Sequence, residues 1–307
     1  MNGFSLSTIS NCYIGGTQAS AIYIGSTKLW PSGPHDYSQD YFTIEALENS
    51  CQVRWKASST SLIKSISYST DLSTWTSVNS STSNNGTLMA TLNTGDKLYL
   101  KGTEKRYASS AYHTRLWTNK KFNVYGNLNS LINGDNFTST IDTNTYETYT
   151  FVQLFSECQV IDASNLVFPF KMIKANMYDY MFNYCTQLET PPTSIWPKSD
   201  GTFYVRVDYN SCRYMFRECR KLTKSPIIYT YVKYDNSVEG TFQYMFSGCT
   251  VLSEVTALCN YYSNMFNYWL PNAPATGTFT KLSTVTSWSS GSSGIPSGWT
   301  VVDVSPT

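Results

Sequence analysis

The sequence predicts a mainly β protein with short helical turns, made of an N-terminal β arm, a β-sandwich and a C-terminal solenoid of stacked repeats. Three observations carry this prediction. A β run ending in glycine is duplicated within residues 10–31, alternating segments cut by polar turns fill 41–117, and one nine-residue pattern returns along the second half. The expected divisions are 1–34 for the arm and linker, 35–119 for the sandwich, and 120–307 for the repeats with a C-terminal cap.

In the arm, Tyr13-Ile14-Gly15-Gly16-Thr17 is followed ten residues on by Tyr23-Ile24-Gly25-Ser26-Thr27-Lys28-Leu29-Trp30. The two runs could pair as one hairpin or add to a neighbour's sheet. A hairpin of this size is not stable alone, so Tyr13, Ile14, Tyr23, Ile24 and Trp30 are the candidate docking residues. Pro31-Ser32-Gly33-Pro34 reads as a linker.

Six short alternating segments follow, at 41–47, 51–55, 63–68, 75–78, 88–92 and 97–101, divided by turns such as Thr94-Gly95-Asp96. This cadence predicts an immunoglobulin-like β-sandwich with Trp55 and Trp75 in its core. A spacer and a binding module both fit, because fold alone assigns no function.

The repeat is clearest in Tyr180-Met181-Phe182-Asn183-Tyr184-Cys185-Thr186-Gln187-Leu188. It returns as Tyr214-Met215-Phe216-Arg217-Glu218-Cys219-Arg220-Lys221-Leu222 and Tyr244-Met245-Phe246-Ser247-Gly248-Cys249-Thr250-Val251-Leu252. An earlier copy carries Phe155 and Cys158. A fifth, Asn264-Met265-Phe266-Asn267-Tyr268-Trp269-Leu270, lacks the cysteine. Phe, Cys and Leu stand three apart, so a short α- or 3₁₀-helical turn would put them on one face. One turn cannot bury that face, whereas stacked turns can. The expected repeat core is therefore Phe155, Cys158, Phe182, Cys185, Leu188, Phe216, Cys219, Leu222, Phe246, Cys249, Leu252 and Phe266. The phenylalanines lie 27, 34, 30 and 20 residues apart, so the extra residues loop out between rungs. Residues 203–209 and 227–234 read as strands added to the stack, and 277–282 and 294–302 as capping strands.

Met-Phe-x-x-Cys-x-x-Leu resembles the rung of BspA-like leucine-rich repeats, known from bacterial surface proteins and from virion proteins of crAss-like phages of gut Bacteroidales. The resemblance covers about residues 150–300. It implies a rung of helical turn followed by strand, and binding rather than catalysis. The arm is similar to the short N-terminal anchors of phage fibre and tail proteins, which implies docking to other virion proteins.

Lys and Arg number 22 against 21 Asp and Glu, and charged residues make up 14% of the chain, against about 25% in an average soluble protein. With no basic surplus, no nucleic-acid partner is expected. The chain has 24 tyrosines beside abundant Ser, Thr and Asn. That mixture suits an adhesive surface and equally suits strands. The candidate ligand-binding residues are Tyr204, Arg206, Tyr229, Tyr231, Tyr261 and Tyr262, whose tyrosines could alternatively be cross-strand packing pairs.

Eight cysteines without a Cys-x-x-Cys spacing, and only His35 and His113 to join them, make no zinc site. No cofactor is expected, and disulfides remain open. Hydrolase, phosphate-loop, dinucleotide and zinc-protease motifs are missing. Asp135, Asp142, Asp162 and Asp208 share no repeat position that would pair two carboxylates, so no catalytic residue is assigned. Met1-Asn2-Gly3-Phe4-Ser5-Leu6 is no secretory signal, and no run reaches the ~18 apolar residues of a membrane helix. If Met1 begins the product, a virion is the expected location. The expectation is a non-enzymatic phage structural protein, a fibre or tail/head appendage component on the particle surface. It would contact host surface glycan or protein, and gain strength as a homo-oligomer by multivalency. The alternative is a bacterial cell-surface adhesin, and the third possibility a glycan depolymerase.

Overall fold

The computed structural model describes residues 35–139, 145–196, 206–230 and 238–306, with four short strands between 13 and 30. Tyr204, Tyr231, Asp142, residues 203–205 of the expected 203–209 strand and residues 231–234 of the expected 227–234 strand lie outside these residues. The fold is mainly β, and among the described residues helix is confined to 3₁₀ turns and one α-turn at Ser130–Asn133. The chain divides into two compact units, 1–37 and 38–307.

In the first unit, β1 (Tyr13–Ile14) pairs antiparallel with β2 (Thr17–Gln18), and β3 (Ile22–Ile24) with β4 (Thr27–Trp30). Each copy of the duplicated run thus folds back on itself instead of pairing with the other. Tyr13 and Ile14 lie on β1, Tyr23 and Ile24 on β3, and Trp30 ends β4.

The second unit begins with two sheets. One holds β5 (Phe42–Ala46), β7 (Ser65–Ser69), β8 (Thr76–Asn79), β10 (Lys97–Lys101) and β12 (Phe122–Asn127). The other holds β6 (Cys51–Ala57), β9 (Thr87–Leu92) and β11 (Thr114–Thr118). Strand β6 shows the logic: Cys51, Val53, Trp55 and Ala57 are buried, with more open residues between them, as a period of two requires. Trp55 is fully buried. Trp75 is not. It lies half-buried against Tyr41, its ring centroid 4.0 Å from Lys101 Nζ, because it precedes β8, whose residues are mostly exposed.

The repeats are not helical turns. Each rung is a run of four-residue turns in which every fourth residue is left-handed: Tyr149, Gln153, Glu157; Asn176, Tyr180, Tyr184; Asn210, Tyr214, Glu218; and Gly240, Tyr244, Gly248. Alternate N–H groups close turns locally, as in Met181 to Tyr178 and Asn183 to Tyr180. The others point out of the rung. Tyr178, Tyr180, Phe182 and Tyr184 donate to Ser211, Arg213, Met215 and Arg217 of the next rung at 2.8–2.9 Å. A non-glycine left-handed residue costs roughly 1–2 kcal/mol. Here the inter-rung bonds offset it, satisfying donors that would otherwise be buried unpaired.

Stacking follows from that ladder. The rings of Phe155, Phe182, Phe216 and Phe246 form one buried column with centroids 4.9, 5.3 and 5.6 Å apart. Beside it runs a column of free, buried thiols. The Sγ–H groups of Cys185, Cys219 and Cys249 donate to the carbonyls of Phe155, Phe182 and Phe216, one rung back, at 3.0–3.2 Å. Burial pushes the Cys158 and Cys249 thiols up to about 12, so these are packing groups and not reactive ones. Leu188, Leu222 and Leu252 are buried as well.

The fifth copy sits one turn out of the register its Met-Phe suggests. Phe242 donates to Met265, Tyr244 to Asn267 and Phe246 to Trp269. Buried Phe266 therefore stacks on Phe242 at 4.9 Å, and Leu270 takes the place equivalent to Phe246. A four-residue period offers Met-Phe two equivalent seats, which motif matching cannot tell apart.

The first rung pairs with the two-sheet part. Tyr107 and Leu116 donate to Thr150 and Leu154, Cys158 Sγ donates to the Leu116 carbonyl, and the Tyr107 and Phe151 rings stack 6.4 Å apart. One cluster of buried side chains runs through both parts, so the core has no break at 119/120. On the other side, β12 joins β13 (Leu166–Val167) in parallel. A second short parallel ladder joins β14 (Met172–Ile173) and β15 (Arg206–Val207). Beyond it, β16 (Lys224–Thr230), β17 (Glu254–Cys259), β18 (Thr278–Leu282) and β19 (Thr300–Val304) form a parallel sheet. Strand β16 starts before the expected Ile227 and passes Pro226, which lacks a donor, by a register shift. The expected strand over 294–302 starts only at Thr300, because Pro296 and a left-handed Gly298 break it. Trp299 is buried, yet Val301 and Val302 remain exposed, so this strand does not hide the apolar edge as a full cap would.

Candidate binding face

In the middle turn of every rung after the first, the left-handed residue is a tyrosine whose side chain reaches the surface. Tyr180, Tyr214, Tyr244 and Tyr268 stack face to face with centroids 4.6, 5.1 and 5.6 Å apart and planes within 18° of parallel. The first three are half-buried by one another, and Tyr268 at the end is 48% exposed. Arg213 lies over Tyr180 and Tyr214, and Arg217 over Tyr184 and Tyr214, each 5.2–5.9 Å from the ring centroids. Arg217 has no carboxylate partner among the described residues.

Two clefts that share Arg213 flank this ladder. The first, about 210 Å³, lies between the 109–113 loop that precedes β11 and the rungs; its lining includes Tyr112, His113, Tyr149, Asn176, Asp179 and Tyr180. The second, about 400 Å³, is lined by Tyr209, Asn210, Glu239, Gly240, Gln243, Asn264 and Asn267. Both Asp179 oxygens face Arg213, at 2.8 Å to Nη2 and 3.3 Å to Nε. The face thus offers flat aromatic surfaces beside amide donors and acceptors.

Burial pushes Asp179 up to about 6 against the opposing pull of Arg213, while burial, then Arg115, brings His113 down to about 4. The signs are opposite. Asp179 contributes stability that is present below its unfolded value of 3.8 and lost as pH rises through 6. His113 contributes stability that is present above its unfolded value of 6.5 and lost as pH falls through 4. Acidification from pH 6.5 to 4 is therefore expected to destabilise Asp179→Asn more steeply than the parent and to stabilise His113→Asn relative to its own value at pH 6.5. Urea unfolding at stepped pH reads both slopes.

Of the residues singled out by sequence for ligand binding, Arg206, Tyr229, Tyr261 and Tyr262 are described, and none lines the two clefts. Arg206 is exposed on β15, and Tyr229 is half-buried on β16. Tyr261 and Tyr262 pack half-buried against the last rung's core, where the Tyr261 ring lies against Phe266 and Trp288. Asp135, Asp162 and Asp208 each bond a different neighbour: Lys101 and Tyr41, Ser164, and Tyr209. The tyrosine ladder is not among the residues that the sequence singles out, all of which lie outside the rungs. Its signal was available, since Tyr180, Tyr214 and Tyr244 open each full copy of the motif.

No family model, no curated protein and no solved structure matches this chain, so its function is read from its own residues and geometry.

Proposed function

We propose that this chain is a non-enzymatic structural and attachment protein of a phage particle, a fibre or tail/head appendage component. In this reading the repeats are a leucine-rich-repeat solenoid of the BspA-like kind, and the sandwich is an immunoglobulin-like module that caps it. The arm docks on other virion proteins, and the ladder face contacts a host surface glycan or protein. The observation that carries the reading is the stack of four tyrosines, half-buried except for exposed Tyr268, beside two polar clefts. Rigid aromatics fixed by a scaffold make good anchors at low entropic cost, and the resemblance of the rung supplies the particle context. A bacterial adhesin would use the same face.

The experiment combines attachment to gut Bacteroidales cells with gold labelling of phage particles. The expected result is labelled particles and protein that attaches to cells. Attachment is expected to fall roughly tenfold or more in Tyr214→Ala/Tyr244→Ala, the scale of losing anchor residues, with little change in melting temperature. Full attachment by a variant that melts lower would make the ladder a packing device. Label on cell envelopes and never on particles would favour the adhesin.

A further inference from the structure

The two clefts beside the ladder hold polar groups that the fold does not use. Asn176 is 5% exposed and left-handed, and its side-chain amide, which bonds no other described group, keeps its remaining exposure on the cleft side. Its open side is the first cleft. One rung on, Asn210 occupies the same ladder position over the second cleft, and Gln243, Asn264 and Asn267 there are likewise unpartnered among the described residues. These amides reach solvent along one concave face, so a ligand that lies there can take the hydrogen bonds water now satisfies. Gly240, next in the Asn176–Asn210 column, keeps the trough open, since a methyl group there would collide with Asn210 Oδ1.

We propose that this trough is a saccharide site that takes an uncharged glycan chain, one ring in the first cleft and the following rings in the second. The inference rests on the attachment reading above and narrows its ligand. Amides present a donor and an acceptor side by side, which suits hydroxyl groups that both give and accept. Tyr112 and Tyr209, 42% and 45% exposed, place aromatic faces at the two clefts, where the C–H faces of sugar rings can lie. The first cleft is smaller than the roughly 300–1,000 Å³ of a drug-sized site, which leaves room for one ring. The charges speak against an acidic sugar. Asp179 and Arg213 neutralise each other, and Glu239 then leaves the trough with a negative remainder. A uronate or sialate would meet that carboxylate, whereas an uncharged ring would not.

The test titrates the whole chain, by calorimetry, with tetrasaccharides of glucose, galactose, mannose and N-acetylglucosamine, and with uronate-bearing tetrasaccharides of matched length. The variant is Asn176→Gly/Asn210→Gly, which removes both amides while keeping residues that accept left-handed backbone, as Gly240 already does in the same column. The expected result is binding to at least one uncharged member, weakened roughly tenfold or more in the variant through the lost hydrogen bonds, with the melting temperature retained. Absence of binding to the whole uncharged panel, equal binding by the variant, or preference for the uronates would overturn the trough proposal. Cell attachment separates the two readings: if the parent attaches and the glycine variant attaches equally well, the attachment role stands and the saccharide site falls. If the parent does not attach at all, the attachment role itself falls.

Discussion

Replacing Phe216 by alanine is expected to lower the unfolding free energy by about 3–5 kcal/mol, the range of large-to-small changes at fully buried aromatics. Phe216 is the middle ring of the column. Phe182 lies 5.3 Å to one side and Phe246 5.6 Å to the other, with planes 5° and 8° from parallel. Its backbone also donates to Met245 and accepts both from Cys219 N–H and from the Cys249 thiol. Collapse into the hole is resisted because those bonds fix the rung spacing from both sides, so little of the cavity cost can be relieved. Denaturant unfolding monitored by circular dichroism measures the change. A loss under about 1 kcal/mol, as at surface sites, would mean that the column is not a core.

Gly126→Ala adds a single methyl group, and the expected loss is nevertheless about 2–5 kcal/mol, combining a left-handed backbone penalty with overpacking. Gly126 has φ +84°, and a Cβ there would collide with the Tyr41 carbonyl oxygen and stand 2.9 Å from the Tyr41 carbonyl carbon. These are backbone atoms, which cannot swing aside. The position matters because Tyr125 still pairs antiparallel with Thr43, while Gly126 pairs in parallel with Leu166. At this residue the antiparallel pairing with β5 ends, while the parallel pairing on the other edge of β12, begun at Phe122, continues. Thermal melting of the variant checks it, and a change under about 0.5 kcal/mol, the scatter of neutral sites, would show that the junction can shift.

Much of the repeat core was legible because burial leaves a residue-type signature. Phe, Cys and Leu at spacing three had to face inward, and Phe182, Cys185 and Leu188 do so. The backbone beneath them was not legible from that pattern, since a spacing of three suits a helical turn and a chain of four-residue turns equally well. The telling residues were the ones between, Asn210 and Gly240, which tolerate left-handed φ better than most. The tyrosines at 180, 214 and 244 ran against that preference and hid the period. The meeting of the two-sheet part and the first rung was invisible for another reason. It depends on Tyr107 reaching Thr150 and Leu116 reaching Leu154, contacts some forty residues apart whose partners carry no shared motif.

The tetrapeptide period also sets what lengths the rungs can take. Gaining or losing four residues moves a rung along by one seat, and every amide still finds a carbonyl opposite. The displaced Met265-Phe266 pair is such a slip, accommodated without loss of a buried ring. A change of one or two residues would instead swap inward and outward positions from that point onward. Insertions that enlarge the molecule's outer surface are thus confined to the segments joining one rung to the next, or must arrive in whole fours.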